Sequence, residues 1–390
     1  MQSVAMSWLV YRLTGSALLL GVTAGAQQLP MLFLSPIAGV WADRVNRKRL
    51  LMIIQSLAFL QALALAVLTF LELVQVPYVI ALALFLGIVN SFETPTRQAF
   101  LLELIQHRED LPNAIALQSL LFQATRFAGP SLAGVILAMF GEAWCFLANA
   151  IAYLAIIATY VVVRVTPRNV PEADSGWWRQ LVAGFGYAFG YTGTRRLLLL
   201  LAALGFFTAP WSSLMPIFAA ETFAGDSRTF GFLIGAVGLG AVAGTFALAA
   251  RSSVRGLGRV IPATTVMAGA ALIGFSASGL LWLSLLFLAV FGAGLVVTAA
   301  SINTILQTLA EDDKRARVIS MYVMCFIGVA PIGNFAAGAL AESVGAHRTL
   351  ALCGLCAALA GIAFAAGFRT WAGSVRPVYI NRGIIQEPKR

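Results

Sequence analysis

Charge is what this chain has least of. Asp, Glu, Lys and Arg make up 11% of its 390 residues, against about 25% in a soluble domain, which excludes a freely soluble globule. Histidine is nearly missing. His107 and His347 are the two present, neither stands in a ligand spacing, and no metal site is expected. The four cysteines, Cys145, Cys325, Cys353 and Cys356, all fall in apolar segments, which excludes a disulfide framework. Cys353 and Cys356 share a redox-type spacing but lack the basic neighbours that would activate a thiol, so they read as small packing residues. No nucleophile–base arrangement and no phosphate-binding loop appears. Catalysis, a cofactor and ATP as an energy source are therefore not expected. Short alternating segments are also missing, which excludes a closed membrane barrel.

Long apolar runs fill the space left. The chain is 60% hydrophobic and its mean hydropathy is +0.87. Runs long enough to cross roughly 30 Å of hydrocarbon recur along almost its whole length. They predict helices over residues 17–40, 50–71, 77–96, 113–139, 143–164, 197–220, 229–250, 258–279, 281–303, 317–342 and 348–369. The preceding piece, Met1 to Leu13, covers about 20 Å at 1.5 Å per residue and does not span alone. It lacks the basic leader and cleavage site of a signal peptide and reads as the second half of a first helix. The expected fold is an all-α polytopic membrane protein with about eleven full spans and an incomplete first one.

The net charge of +10 follows from topology rather than from nucleic-acid binding. If the 41–49 connection is cytoplasmic, 22 of the 26 basic residues fall on the cytoplasmic side and Arg12, Arg228 and Arg348 on the other. That asymmetry sets the orientation and puts the C-terminus in the cytoplasm. The longest polar stretch divides the spans into two sixes. The expected organisation is an N-terminal helical half over 1–164, a cytoplasmic linker over 165–196, a C-terminal half over 197–370 and a cytoplasmic tail over 371–390. A weak internal repeat, residues 109–141 against 313–345 at an offset of 204, supports two related halves.

The most informative local pattern is the charged turn Gly39-Val40-Trp41-Ala42-Asp43-Arg44-Val45-Asn46-Arg47-Lys48-Arg49, wedged between two uncharged runs. A carboxylate there is costly unless paired. Asn46 is expected in a left-handed turn, which Asn tolerates next best after Gly. The turn resembles the loop between the second and third helices of the major facilitator superfamily. With residues 8–16, Pro95 to Phe100, Leu111 to Leu117 and Arg126 to Pro130, it is similar to the enterobactin-exporter and macrolide-efflux branch. The resemblance implies two six-helix halves, alternating access, a bacterial inner-membrane location and monomeric function. It also implies that Gly39, Asp43, Arg44, Asn46, Arg47 and Lys48 form a conformational motif. In that family the carboxylate caps and contacts a neighbouring helix when the transporter faces outward.

Other residues add to this. Glu93 and Arg97 share a helix face four apart, and with Asp43 they could form a charge network at the cytoplasmic end. Arg126 is the one basic side chain deep in a run, about 20 Å from Asn113 along the helix. It either holds an anionic or hydroxylated substrate, neutralises a partner carboxylate, or makes a structural pair near the bend at Gly129-Pro130. That bend, abbreviated relative to the antiporter pattern, favours antiport or is ordinary small-residue packing. Gln27, Gln28, Asn90 and Gln123 are the remaining cavity candidates. Gln55, Gln61, Gln118, Asn149, Asn303 and Asn334 are further polar groups at membrane depth that either line the cavity or bridge helices. The expected function is proton-coupled export of a small amphipathic molecule, a siderophore or a drug-like compound. The partners are substrate, protons and lipid, and no nucleic acid. The alternatives are an importer of sugars or organic acids, and a remnant that does not transport.

Overall fold

The structure, a computed structural model, describes residues 1–42, 45–104, 129, 132–137, 139–163, 186, 189–250, 255–310 and 315–381. Among them every regular element is helical, and ten helices or helix runs are long and apolar enough to cross a membrane. In chain order the elements are α1 (Gln2–Thr14), α2 (Ala17–Ala42), α3 (Arg47–Phe70), α4 (Val76–Leu104) and α5 (Glu142–Val162), then α6 (Thr192–Thr208), α7 (Pro210–Ile217) and α8 (Ser227–Ala249). They continue with α9 (Leu257–Ala277), α10 (Leu281–Leu309), α11 (Arg315–Val323), α12 (Ala330–Val344), α13 (Ala346–Ala366) and α14 (Phe368–Asn381). Most of the fourth expected span, 113–139, lies outside the described residues.

The chain forms two compact units. One comprises Met1–Trp177 with Ser213–Gly235, the other Trp178–Ser212 with Ala236–Arg390. In the first, α2 packs along α4 and α3 along α5. In the second, α9 packs along both α10 and α13. Counting α1 as the first helix, the third–sixth pairing of α3 with α5 recurs as the ninth–twelfth pairing of α9 with α13. Although short, α1 is well embedded: Ala5, Met6, Leu9 and Val10 are buried, and Gly15 ends it at φ 63.

Several elements depart from the sequence expectation. The run read as 197–220 starts at Thr192, is interrupted at Ala209 and closes in a π-helical turn, Phe218–Thr222. Pro210 and Pro216 remove backbone donors, and the ladder shifts register around them. The run read as 317–342 carries a second π-helical turn, Met324–Gly328, ahead of Pro331. A methyl on Gly205 of α6 would collide with the Phe326 and Cys325 carbonyls, so glycine lets α6 pack directly on that irregular backbone. Helix α4 continues past residue 96 to Leu104, through Pro95. Residues 368–381, read as the end of a span and a tail, form helix α14, which buries Trp371, Val375 and Tyr379. Burial pushes the Tyr379 phenol up to about 12, with Tyr191 nearby adding to the shift.

Candidate functional site

The charged turn is described from Val45 onward and up to Ala42; Asp43 and Arg44 lie outside the described residues. Gly39 stands near the end of α2. Asn46 corrects the expectation of a left-handed turn. Its φ of −64° and ψ of 107° are extended, and its side-chain oxygen accepts from the Arg49 N–H at 3.0 Å. It is an N-cap that satisfies one of the orphan donors of α3, a role in which Asn is among the best residues. Arg47 is buried. Lys48 reaches across to α5, where Nζ donates to the carbonyls of Val163 at 2.7 Å and Val161 at 3.4 Å. A cation on the last carbonyls of a helix satisfies unpaired acceptors and complements the macrodipole. The turn therefore ties the start of α3 to the end of α5.

Glu93 and Arg97 meet as expected, Oε1 to Nε at 2.8 Å, with the carboxylate side chain 21% exposed. Tyr153 and Tyr160 of α5 lie within electrostatic reach of Glu93. Trp41 of α2 meets Phe92 edge-on at 5.6 Å. The pair thus sits where α2, α4 and α5 converge, at the same end of the unit as Lys48.

The polar residues at membrane depth divide. Gln27, Gln28 and Asn90 are partly buried. A methyl on Gly87 would collide with the Gln27 carbonyl, so α2 and α4 touch one helical turn from Asn90. Gln61 and Asn149 instead bridge helices through a residue the sequence reading passed over. Gln2 Nε2 donates to Gln61 Oε1 at 2.6 Å, Asn149 Nδ2 donates to Gln2 Oε1 at 2.6 Å, and Gln61 Nε2 donates to the Leu82 carbonyl at 3.1 Å. This amide chain joins α1, α3, α4 and α5. Arg126, Gln123, Gln118 and Pro130 lie outside the described residues; Gly129 is helical.

The opposite end of the first unit carries contacts that sequence reasoning missed. Arg12 pairs with Glu142 at 3.0 Å, where the carboxylate stands in the first turn of α5 and meets the positive end of its dipole. The Tyr11 hydroxyl donates to Glu221 at 3.1 Å, and Trp8 stacks on Phe230 with centroids 5.6 Å apart. The Ser227 hydroxyl donates to the Leu137 carbonyl at 3.3 Å. A methyl built on Gly231 would lie 2.7 Å from Gly134 Cα. The first turns of α8 thus rest, backbone on backbone, against the helical stretch 132–137. Opposite charges at helix ends, Arg12 and Glu142, were the available sequence signal.

Open recesses occur at the surface of the described residues. One of about 500 Å³ lies beside Arg12, Glu72, Glu142 and Trp144, and one of about 370 Å³ beside Arg49 and Ile53. Neither is lined by Gln27, Gln28 or Asn90. Among the described residues no group of His, Cys, Asp and Glu could hold a metal ion.

The amino-acid sequence matches a known family profile, the transmembrane secretion effectors of the major facilitator superfamily, over residues 1–373. The chain belongs to that family. Within it, the chain is 27% identical over 358 residues to the staphyloferrin A transporter of Staphylococcus aureus, covering 90% of this chain and 88% of that protein. It is 26% identical over 368 residues to the multidrug efflux pump Tap of Mycolicibacterium fortuitum, covering 92% and 89%. This is the siderophore and drug-efflux branch that the sequence resembled. The fold is shared with solved facilitator structures. A nucleoside transporter superposes with a TM-score of 0.72 at 14% identity, covering 95% of each chain. A bacterial homologue of the lysosomal transporter Spinster also gives 0.72, at 13% identity, covering 95% and 93%. The family consists of membrane transporters, so the chain is an integral multi-pass membrane protein and its partner is a small-molecule substrate.

Proposed function

We propose that this facilitator exports a small amphipathic organic molecule, a siderophore or a drug-like compound, by alternating access with proton antiport. The observation that carries the reading is similarity over about nine-tenths of the chain to both a siderophore transporter and a drug-efflux pump. The Lys48 end is cytoplasmic and the Glu142 end external, an orientation that the distribution of basic residues supports, with the C-terminus inside and the protein in the plasma membrane as a monomer. On this assignment the contacts among Trp8, Phe230, Gly134, Gly231, Tyr11 and Glu221 are an outer seal that forms when the cavity faces inward.

Asp43 and Arg44, with the Glu93–Arg97 pair, act as the inner charge network. In water an i,i+4 pair contributes about 0.3–0.5 kcal/mol, too little to account for two charges kept beside hydrocarbon on grounds of stability. A switching role does account for them. Glu93 is the titratable group best placed for coupling. Arg126 with Gln27, Gln28, Asn90 and Gln123 faces the substrate, and Gly129-Pro130 provides the bend.

Inside-out vesicles carrying the protein test this directly. An acidic lumen should drive accumulation of siderophore or dye substrates, a protonophore should abolish it, and Asp43→Asn should cripple it without loss of inserted protein. Accumulation only in right-side-out vesicles would make the protein an importer. Normal transport by Asp43→Asn would reduce the turn to a topological signal.

A further inference from the structure

After a one-residue break at Gly367, which follows its last span, the second unit starts helix α14 at Phe368. Trp371, Val375 and Tyr379, spaced by four, form its buried face. The Trp371 indole N–H donates to the Gly193 carbonyl at 2.9 Å, and the Tyr191 hydroxyl donates to the Ser374 carbonyl. Arg196 Nη1 donates to the Gly367 carbonyl at 2.6 Å. A methyl on Gly258, at the start of α9, would meet the Trp371 ring, and one on Gly193 would meet Val375 Cγ2 at 3.1 Å. Helix α14 therefore lies across the first turns of α6 and α9 and does not run on as an extension of α13.

The outer side of this assembly is basic. Arg369 and Arg376 are exposed, and seven residues of helix bring them to one side about 10 Å apart. Arg195 and Arg259 are exposed at the starts of α6 and α9. Residues 189–200, 255–260 and 367–381 include no Asp or Glu. The positive-inside bias alone is met by arginine in any loop. It does not require a helix fixed by a buried indole across two span ends, with its arginines directly beyond the apolar run of α13, the level at which a bilayer places its headgroups. The anions abundant at that depth are lipid phosphates, and the guanidinium fork binds phosphate bidentately.

We propose that α14, with the first turns of α6 and α9, is a binding site for the phosphates of anionic phospholipids, and that the bound lipid holds α14 in its docked position. The proposal needs the membrane-spanning fold and does not depend on the exporter reading, so a failed transport assay leaves it standing.

Hydrogen exchange of α14 amides in the full-length protein tests it. The protein is reconstituted in phosphatidylcholine alone, or with a minor fraction of phosphatidylglycerol or of cardiolipin. Exchange across 369–381 should slow with either anionic lipid, and more per molecule with cardiolipin if neighbouring arginines share its two phosphates. An arginine near an anionic surface gains about fivefold in association, so Arg369→Gln with Arg376→Gln should cut the anionic-lipid gain about 25-fold, while Lys at both positions, which keeps the charge but loses the fork, should restore only part of it. Equal protection in neutral and anionic lipid, or a full gain retained by the double Gln variant, would overturn the proposal.

Discussion

Gly231→Ala places a methyl where the outer contact has no room for one. Its carbon would stand 2.7 Å from Gly134 Cα and 3.1 Å from Gly134 C, whereas carbon atoms prefer about 3.5–4.0 Å. The first turns of α8 and the stretch 132–137 must then separate by about 1 Å, and overpacking of this kind costs about 1–3 kcal/mol. If that contact exists only while the outer side is sealed, the whole cost falls on the sealed state. The equilibrium then moves toward the outward-open form by about 5- to 150-fold. Ser227 is bonded to the Leu137 carbonyl beside the contact, so Ser227→Cys reports opening through its rate of reaction with an impermeant maleimide. Adding Gly231→Ala should raise that rate, and adding Gly134→Ala should raise it again. An unchanged rate, in a variant that inserts and runs as a single species on size exclusion, would show that the glycine contact is not tied to the conformational state.

Gln61→Leu breaks the bond from Gln2 and frees the Leu82 carbonyl. Interhelical hydrogen bonds in membranes average about 0.6 kcal/mol, so the two together should lower stability in detergent by about 1 kcal/mol, read from thermal unfolding; no loss would mean that the amide chain is not holding α1. Arg126→Ala should abolish or redirect export. Arg126→Lys should weaken substrate affinity if the planar fork reads substrate and be nearly silent if only charge matters, and full export by the alanine variant would remove Arg126 from the site.

The long apolar helices could be read from sequence because lipid and helix–helix packing ask for the same residues. The starts and ends of α2, α3, α5, α9 and α13 therefore fall close to the limits of the apolar runs. The breaks within α6–α7 and α11–α12 could not be read that way, because hydropathy is blind to a shifted hydrogen-bond ladder. Helix α14 was hidden for a different reason. Its apolar face is three residues spaced by four in a segment that also holds Arg369, Arg376 and Pro377, and the groups that this face meets, around Gly193 and Tyr191, are distant in sequence. The Glu93–Arg97 pair was legible because both partners sit on one helix. Lys48 read as a charge alone, since its acceptors stand 113 and 115 residues away. Asn46 read as a turn residue, although Asn serves as readily at the head of a helix as in a left-handed bend.

The amide chain through Gln2 also constrains how the protein can be made. The side chain of Gln2 finds its partners on Gln61 and Asn149, 59 and 147 residues later. A ribosome adds about 5–20 residues per second, so α1 waits about 3–12 s for its first partner and about 7–30 s for its second. During that interval a short helix with a bare amide faces hydrocarbon, where an unpaired polar group is costly. The insertion machinery must therefore shelter α1 until α3 and then α5 arrive, and α1, although made before both, is locked in place only after them.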